Sequence, residues 1–261
     1  MTDYLLVSCE HGGNRIPLPY SNFFQTAQDQ LWLDSHRGFD SGALIIAREM
    51  ATKLKAPLVA STISRLLVDL NRSIGHPHLY SLAIRNAPVA VRWRIIESYY
   101  RPYRTKAENI VSEAVAMGGR VIHVSCHSFT PELNGQVRNT DIGLLYHPAR
   151  TEEVALCKRW KASLKACAPE LKVRRNYPYA GKNDGFTAYL RHRFSPEEYV
   201  GVELEVNQMH VLKADRSWAS LRTTLIESLC IALGISRPSC SAERESTGKG
   251  PLTVSERTEG E

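Results

Sequence analysis

Strand-like and helix-like segments alternate along almost the whole chain, and this alternation limits the possible folds more than any other feature. Tyr4–Cys9 (YLLVSC), Pro57–Ser61, Leu66–Leu70, Arg120–Cys126 (RVIHVSC), Asp141–Tyr146 and Tyr199–Val206 read as strands, being short apolar or β-branched runs. Phe39–Leu54, Val91–Met117, Thr151–Cys167 and Ser217–Leu233 carry helical spacing. Pro102 should kink or break the long second helix, because proline lacks the N–H that the helix needs. Gly119 is a plausible stop for that helix. The order predicts an α/β fold in which helices cover both faces of a mostly parallel sheet. Residues 236–261 change character: Ser, Gly, Thr and Glu dominate, and Leu252 and Val254 are the only large aliphatics. Too little apolar surface is available there to offset the ordering entropy. We expect one domain over residues 1–235 and a disordered C-terminal tail over 236–261.

Composition excludes several classes. No apolar run approaches the ~20 residues of a membrane helix. The start, Met1-Thr2-Asp3-Tyr4, has no basic segment ahead of its short apolar run, so it does not read as a signal peptide. The expectation is a cytoplasmic protein with no membrane partner. The six cysteines are scattered without a CxxC pair. They are expected to be free thiols that fill the core, and a cysteine zinc site is not expected. The chain carries 33 Lys+Arg against 27 Asp+Glu, a net charge of +6. The tail holds four basic and five acidic residues, so the excess lies in the folded part. It could serve nucleic acid or an acidic small molecule.

Ligands gather at the carboxyl ends of strands in open α/β sheets, and five polar clusters fall near such positions. Cys9-Glu10-His11-Gly12-Gly13-Asn14 closes the first strand. A histidine projecting there could bind metal, although a tight turn with a surface histidine would look the same. Ser125-Cys126-His127-Ser128 closes another, and two imidazoles at one sheet edge suit Zn²⁺. His123, four residues earlier, reads as a packed residue. In Asp34-Ser35-His36-Arg37-Gly38-Phe39-Asp40, His36 or Asp34 could supply a third ligand, while Ser35 or Asp40 would equally serve as helix caps. In Tyr199–Gln208, Gly201, Glu203, Glu205 and Asn207 share one strand face. That face is either the wet side of an edge strand or the place of a general base. Asp69, Asn71 and Arg72 end the Leu66–Leu70 run, with Arg65 upstream; an Arg fork there could grip a substrate carboxylate or form a structural salt bridge. GxSxG, HExxH, P-loop and GxGxxG motifs are all missing.

CEHGGNRIP, SHRGFD, RLLVDLNRS, HVSCHSFTP, DIGLLYHP, NYPYAGKNDGFTAYLR and VGVELEVNQ occur in this order over about four-fifths of the chain. Together they resemble the N-formylglutamate amidohydrolase family. The resemblance implies a single three-layer α/β domain of the phosphorylase/hydrolase-like, zinc-exopeptidase-like kind, and hydrolysis of N-formyl-L-glutamate to formate and L-glutamate. It implies Zn²⁺ as cofactor, His11 and His127 as metal ligands, and Glu205 as the carboxylate that activates water. It also implies Asn71 and Arg72 as the pair that holds a substrate carboxylate. Asn14 stands where zinc exopeptidases place a glutamate ligand, so a third ligand is needed. His36 is the first choice, with Asp34 and Glu10 as alternatives. Arg65, Asn14, Tyr179 and Asp184 are expected to complete the substrate pocket. An anionic small molecule is therefore the expected partner. Other expectations rank lower: a same-fold hydrolase of peptides or peptidoglycan fragments, and a nucleic-acid role for the basic stretch Arg85–Lys106.

Overall fold

The computed structural model describes residues 2–212 and 216–235, so the predicted tail over 236–261 lies outside the described residues. In chain order the elements begin with β1 (Asp3–Cys9), a 3-10 turn (Leu18–Phe23), α1 (Ala27–Leu33), α2 (Ala43–Leu54), β2 (Leu58–Ala60), α3 (Leu82–Arg85) and α4 (Val89–Ile95). A π-helical turn (Ile96–Tyr100), α5 (Arg101–Ala116), β3 (Arg120–Phe129), β4 (Glu132–Leu133), β5 (Gln136–Val137) and β6 (Ile142–Leu145) follow. The chain then forms α6 (Thr151–Cys167), β7 (Val173–Arg175), α7 (Phe186–Arg193), β8 (Tyr199–Asn207), α8 (Met209–Leu212) and α9 (Arg216–Leu233).

Six strands form one sheet in the order β2-β1-β3-β8-β6-β7, with β4 and β5 as a separate hairpin. All neighbours run parallel except β6 and β8, which are antiparallel. Strand periodicity sends alternate residues to opposite faces. Val7, Cys9, Val124, Cys126, Val202 and Leu204 pack under α2, α6 and α9. Leu6, Val121 and Tyr199 pack on the other side with α5, α7 and the π-turn. The result is the expected three-layer α/β domain with a mixed, mostly parallel sheet. Among the described residues no helix is long and apolar enough to cross a membrane.

Trp160 of α6 is fully buried between α6 and α9, and its indole N–H donates to Ser228 Oγ at 3.1 Å. Trp160→Ala removes a large buried ring and the indole N–H that Ser228 Oγ accepts, leaving that hydroxyl only its bond to the Leu225 carbonyl. It should lower unfolding free energy by about 3–5 kcal/mol, measurable as a fall in the urea midpoint.

Several local expectations change. Leu66–Leu70 is a turn and coil, not a strand; its apolar residues Leu67, Val68 and Leu70 are buried as core packing without a strand partner. The helix expected from Phe39 begins at Ala43. The interruption at Pro102 takes the form of a π-turn, in which Arg101 N–H bonds Ile96 O, five residues back. Gly118, at φ 74°, takes the left-handed position that ends α5, one residue before the glycine expected. Cys9, Cys126, Cys157 and Cys230 are free and buried, whereas Cys167 is disulfide-bonded.

Candidate metal-dependent active site

The carboxyl ends of β1, β3 and β8 lie side by side in the middle of the sheet, and each delivers one polar side chain. His11 follows β1 within two residues. His127 sits near the end of β3, in register with Glu205 on β8. Both faces of β8 are buried, so the wet edge strand is excluded and Glu205 must be accommodated in the interior. Gly12 and Gly13 take the chain away from β1 close against the segment after β2. A Cβ on either would come within 2.7–2.8 Å of the Ser61 or Thr62 carbonyl oxygen. These glycines therefore serve a close backbone contact.

Asp40 reaches the same point from the loop ahead of α2. Its backbone N–H donates to the His11 carbonyl at 2.9 Å. Its Oδ2 lies 3.3 Å from His11 Nδ1 and 2.8 Å from His127 Nδ1. The donor atoms of these three buried residues all fall within 4.8 Å of one another. The far nitrogen of each ring is held by another carboxylate. His11 Nε2 is 2.7 Å from Asp69 Oδ1, and His127 Nε2 is 3.0 Å from Glu10 Oε2. A carboxylate on one imidazole nitrogen fixes the tautomer and turns the other nitrogen's lone pair outward, which is how metal-binding histidines are oriented. Glu10 is itself fixed by Ser8 Oγ at 2.6 Å, Tyr103 Oη at 2.7 Å and Ser125 Oγ at 2.6 Å.

Electrostatics point the same way. Burial would raise the Asp40 carboxyl, but the two imidazoles and Arg65 hold it well below the usual carboxylate range. Burial raises Asp69 too, and Arg65 followed by His11 overcomes it. Glu205 behaves oppositely: burial pushes its carboxyl up to about 8, and its Oε2 has no hydrogen-bond partner. Beyond Arg65, the imidazoles supply positive charge to these buried carboxylates when protonated, and a bound cation would supply it when they are neutral. Two imidazole nitrogens and one carboxylate oxygen form a donor set that suits a divalent transition metal. The orphaned Glu205 oxygen beside that set has the place of a general base. The residues present therefore fit a bound metal.

The geometry differs from the sequence reading at the third donor: His36 is exposed and stands outside the group, and Asp40 is the residue that converges with His11 and His127. Asp34 is exposed and accepts from Asn14 Nδ2 at 3.0 Å. Glu10 supports His127 from behind. Asn14 also falls outside the site, in a separate surface depression with Asp34. Arg65, Asn71, Arg72, Tyr179 and Asp184 do line the cavity, together with Ser128, Asn183 and Glu203. Arg65 is committed to protein carboxylates, donating to Asp40 Oδ1 at 3.2 Å and Asp69 Oδ2 at 2.9 Å. Arg72, which lines the cavity, donates one Nη to the Asp184 carbonyl at 2.7 Å. Asp184 acts structurally, accepting from Ser73 N–H at 3.0 Å and Ser73 Oγ at 2.5 Å. Asp69, just before Asn71 and Arg72 in sequence, bonds His11 and Arg65. His123 is a packed residue as expected, bonded to Tyr199 Oη and Ser8 Oγ, each at 2.7 Å.

Two oriented imidazoles, a carboxylate and an unpartnered buried carboxyl at the mouth of an α/β sheet are groups that could serve hydrolysis. The family model of N-formylglutamate amidohydrolase matches residues 4–212, and the chain belongs to that family. The fold is similar to gene product Atu2144 from Agrobacterium tumefaciens, with a TM-score of 0.75 and 30% identity over 88% of this chain and 90% of that one. It is also similar to N-formylglutamate amidohydrolase from Ralstonia eutropha JMP134, with a TM-score of 0.68 and 21% identity over 88% of this chain and 93% of that one. Comparison with the curated proteins finds no match.

Proposed function

We propose that the chain is a zinc-dependent amidohydrolase that cleaves N-formyl-L-glutamate or a similar N-acyl amino acid. The observation that carries this reading is the convergence of His11, Asp40 and His127 on one point, with Glu205 Oε2 unpartnered in the same cavity. Zinc, when bound, would lower the pKa of its water toward ~7 and polarise the substrate carbonyl. Glu205 takes a proton from the attacking water and returns one to the leaving amine. Asp69 and Glu10 keep the imidazoles aimed, and Arg65 keeps Asp40 and Asp69 ionised. Arg72, beside Asn71, receives the substrate carboxylate.

The cavity holds about 170 Å³, below the ~300–1,000 Å³ of sites for drug-sized ligands. This favours a small N-acyl amino acid over a peptidoglycan fragment. Of the basic stretch Arg85–Lys106, Arg104 is buried, whereas Arg94, Arg101 and Lys106 are exposed.

The test is a panel of N-formyl, N-acetyl and dipeptide substrates run with and without chelator. The purified chain should carry about one zinc, prefer N-formyl-L-glutamate, and lose turnover when the metal is removed. Full activity in a metal-free preparation would overturn the mechanism.

A further inference from the structure

Arg104 is 4% exposed, and among the described residues no carboxylate pairs with it. Its guanidinium lies over the rings of Tyr100, Tyr189 and Phe186 at 4.6, 4.7 and 5.1 Å. Nη2 donates to the carbonyls of Leu70 at 3.1 Å and Arg72 at 2.9 Å, while Nε has no partner. Tyr100 Oη donates to the same Arg72 carbonyl at 2.7 Å. Burying a cation without a counter-charge is costly, and an apolar side chain of similar volume would fill this space more cheaply. What the guanidinium accomplishes there is to hold two carbonyls of the loop that carries Asn71 and Arg72.

The π-turn explains how one helix delivers both groups. It ends at Tyr100, directly before the proline-containing first turn of α5. Tyr100 and Arg104 are then four residues apart and share one face. Such turns insert a residue and re-aim the face that follows.

We propose that Arg104 and Tyr100 are positioning residues that set selectivity for an acidic substrate, by fixing the Leu70–Ser73 loop so that Arg72 presents its guanidinium to the substrate's side-chain carboxylate. This rests on the reading of Arg72 as the carboxylate grip. The backbone of Arg72 is held from behind by Tyr100 and Arg104, and its side chain from the front by the Asp184 carbonyl. The remaining donors therefore face the cavity in one orientation.

The experiment compares wild type with Tyr100→Phe, Arg104→Gln and Arg104→Lys, using N-formyl-L-glutamate and its uncharged isostere N-formyl-L-glutamine. Tyr100→Phe keeps the ring and deletes only the hydroxyl, so it stays informative if Arg104→Gln folds poorly. For the acidic substrate kcat/KM should fall about tenfold or more, chiefly through KM, while the amide substrate changes by less than about twofold. Zinc content should be unchanged, and Arg104→Lys should recover part of the loss. Amide hydrogen exchange supplies a readout that does not depend on turnover. The N–H groups of Asn71, Arg72 and Ser73 bond Asp69 and Asp184, and they should exchange about tenfold faster in Tyr100→Phe and Arg104→Gln. Equal loss on both substrates, or unchanged exchange at residues 71–73, overturns the proposal. If wild type cleaves neither substrate, the substrate reading fails by itself, and the exchange rates still decide the positioning role.

Discussion

Glu205→Gln should abolish most turnover while leaving the metal and the fold in place. The substitution keeps the shape of the side chain and removes its capacity to take a proton. General acid–base groups contribute about 10²–10⁴-fold, so kcat should fall by about 10³-fold, equivalent to ~4 kcal/mol of transition-state stabilisation. Stability should hold, because Glu205 is not among the three converging donors and its Oε2 bonds no protein group. The carboxyl that burial already pushes up to about 8 is replaced by a neutral amide of the same size. Zinc analysis, thermal melting and kcat on one preparation test this together. A variant retaining a tenth of wild-type kcat would show that Glu205 is not the base.

Asp40→Asn should cost the metal, and His36→Ala should not. Among the described residues Asp40 is the one carboxylate whose oxygen meets both imidazoles, and asparagine retains its size without its charge. Loss of a supporting partner behind a ligand typically weakens metal binding 10–100-fold. Loss of a direct ligand should exceed ~100-fold, with activity falling in parallel. Arg65 would also lose one of its two carboxylates, so some loss of stability should accompany the change. His36 is exposed, and its removal should leave zinc content and kcat within about twofold of wild type, as expected of a surface substitution. Metal retained in Asp40→Asn and lost in His36→Ala would restore the histidine as third ligand.

The part of the site that sequence exposes is the part built on strands. His11, His127 and Glu205 each end an apolar run, and period-two alternation fixes which way Glu205 faces. Arg72 and Asn71 follow a buried apolar run and are recognisable by family likeness, although Leu66–Leu70 is no strand. A run of a few apolar residues looks the same whether it pairs in a sheet or simply packs. Asp40 stays hidden for a different reason. It lies in a loop ahead of a helix, where an acidic residue has an adequate explanation as a cap. Only the contact of that loop with the His11 carbonyl shows that it turns inward. Arg104 is hidden more deeply. Within a helix rich in arginine it looks like part of a solvated face, and only its burial against three rings separates it from Arg101. Part of the positive charge of the folded part is thus internal, held by Arg104 behind the loop of Asn71 and Arg72.

The place of β8 in the sheet has a consequence for how the enzyme comes into being. This strand joins β3 to β6, so the sheet is two separate blocks until residues 199–207 enter between them. A ribosome releases the chain from its N-terminus, and all three donors, the last of them His127, have been made long before Glu205. On the proposed reading, the order of synthesis would make the metal-holding element first and the base last. A nascent or shortened chain that stops before β8 has both block edges open to mispairing with other chains and lacks Glu205. The proposed base and the strand that closes the sheet arrive together.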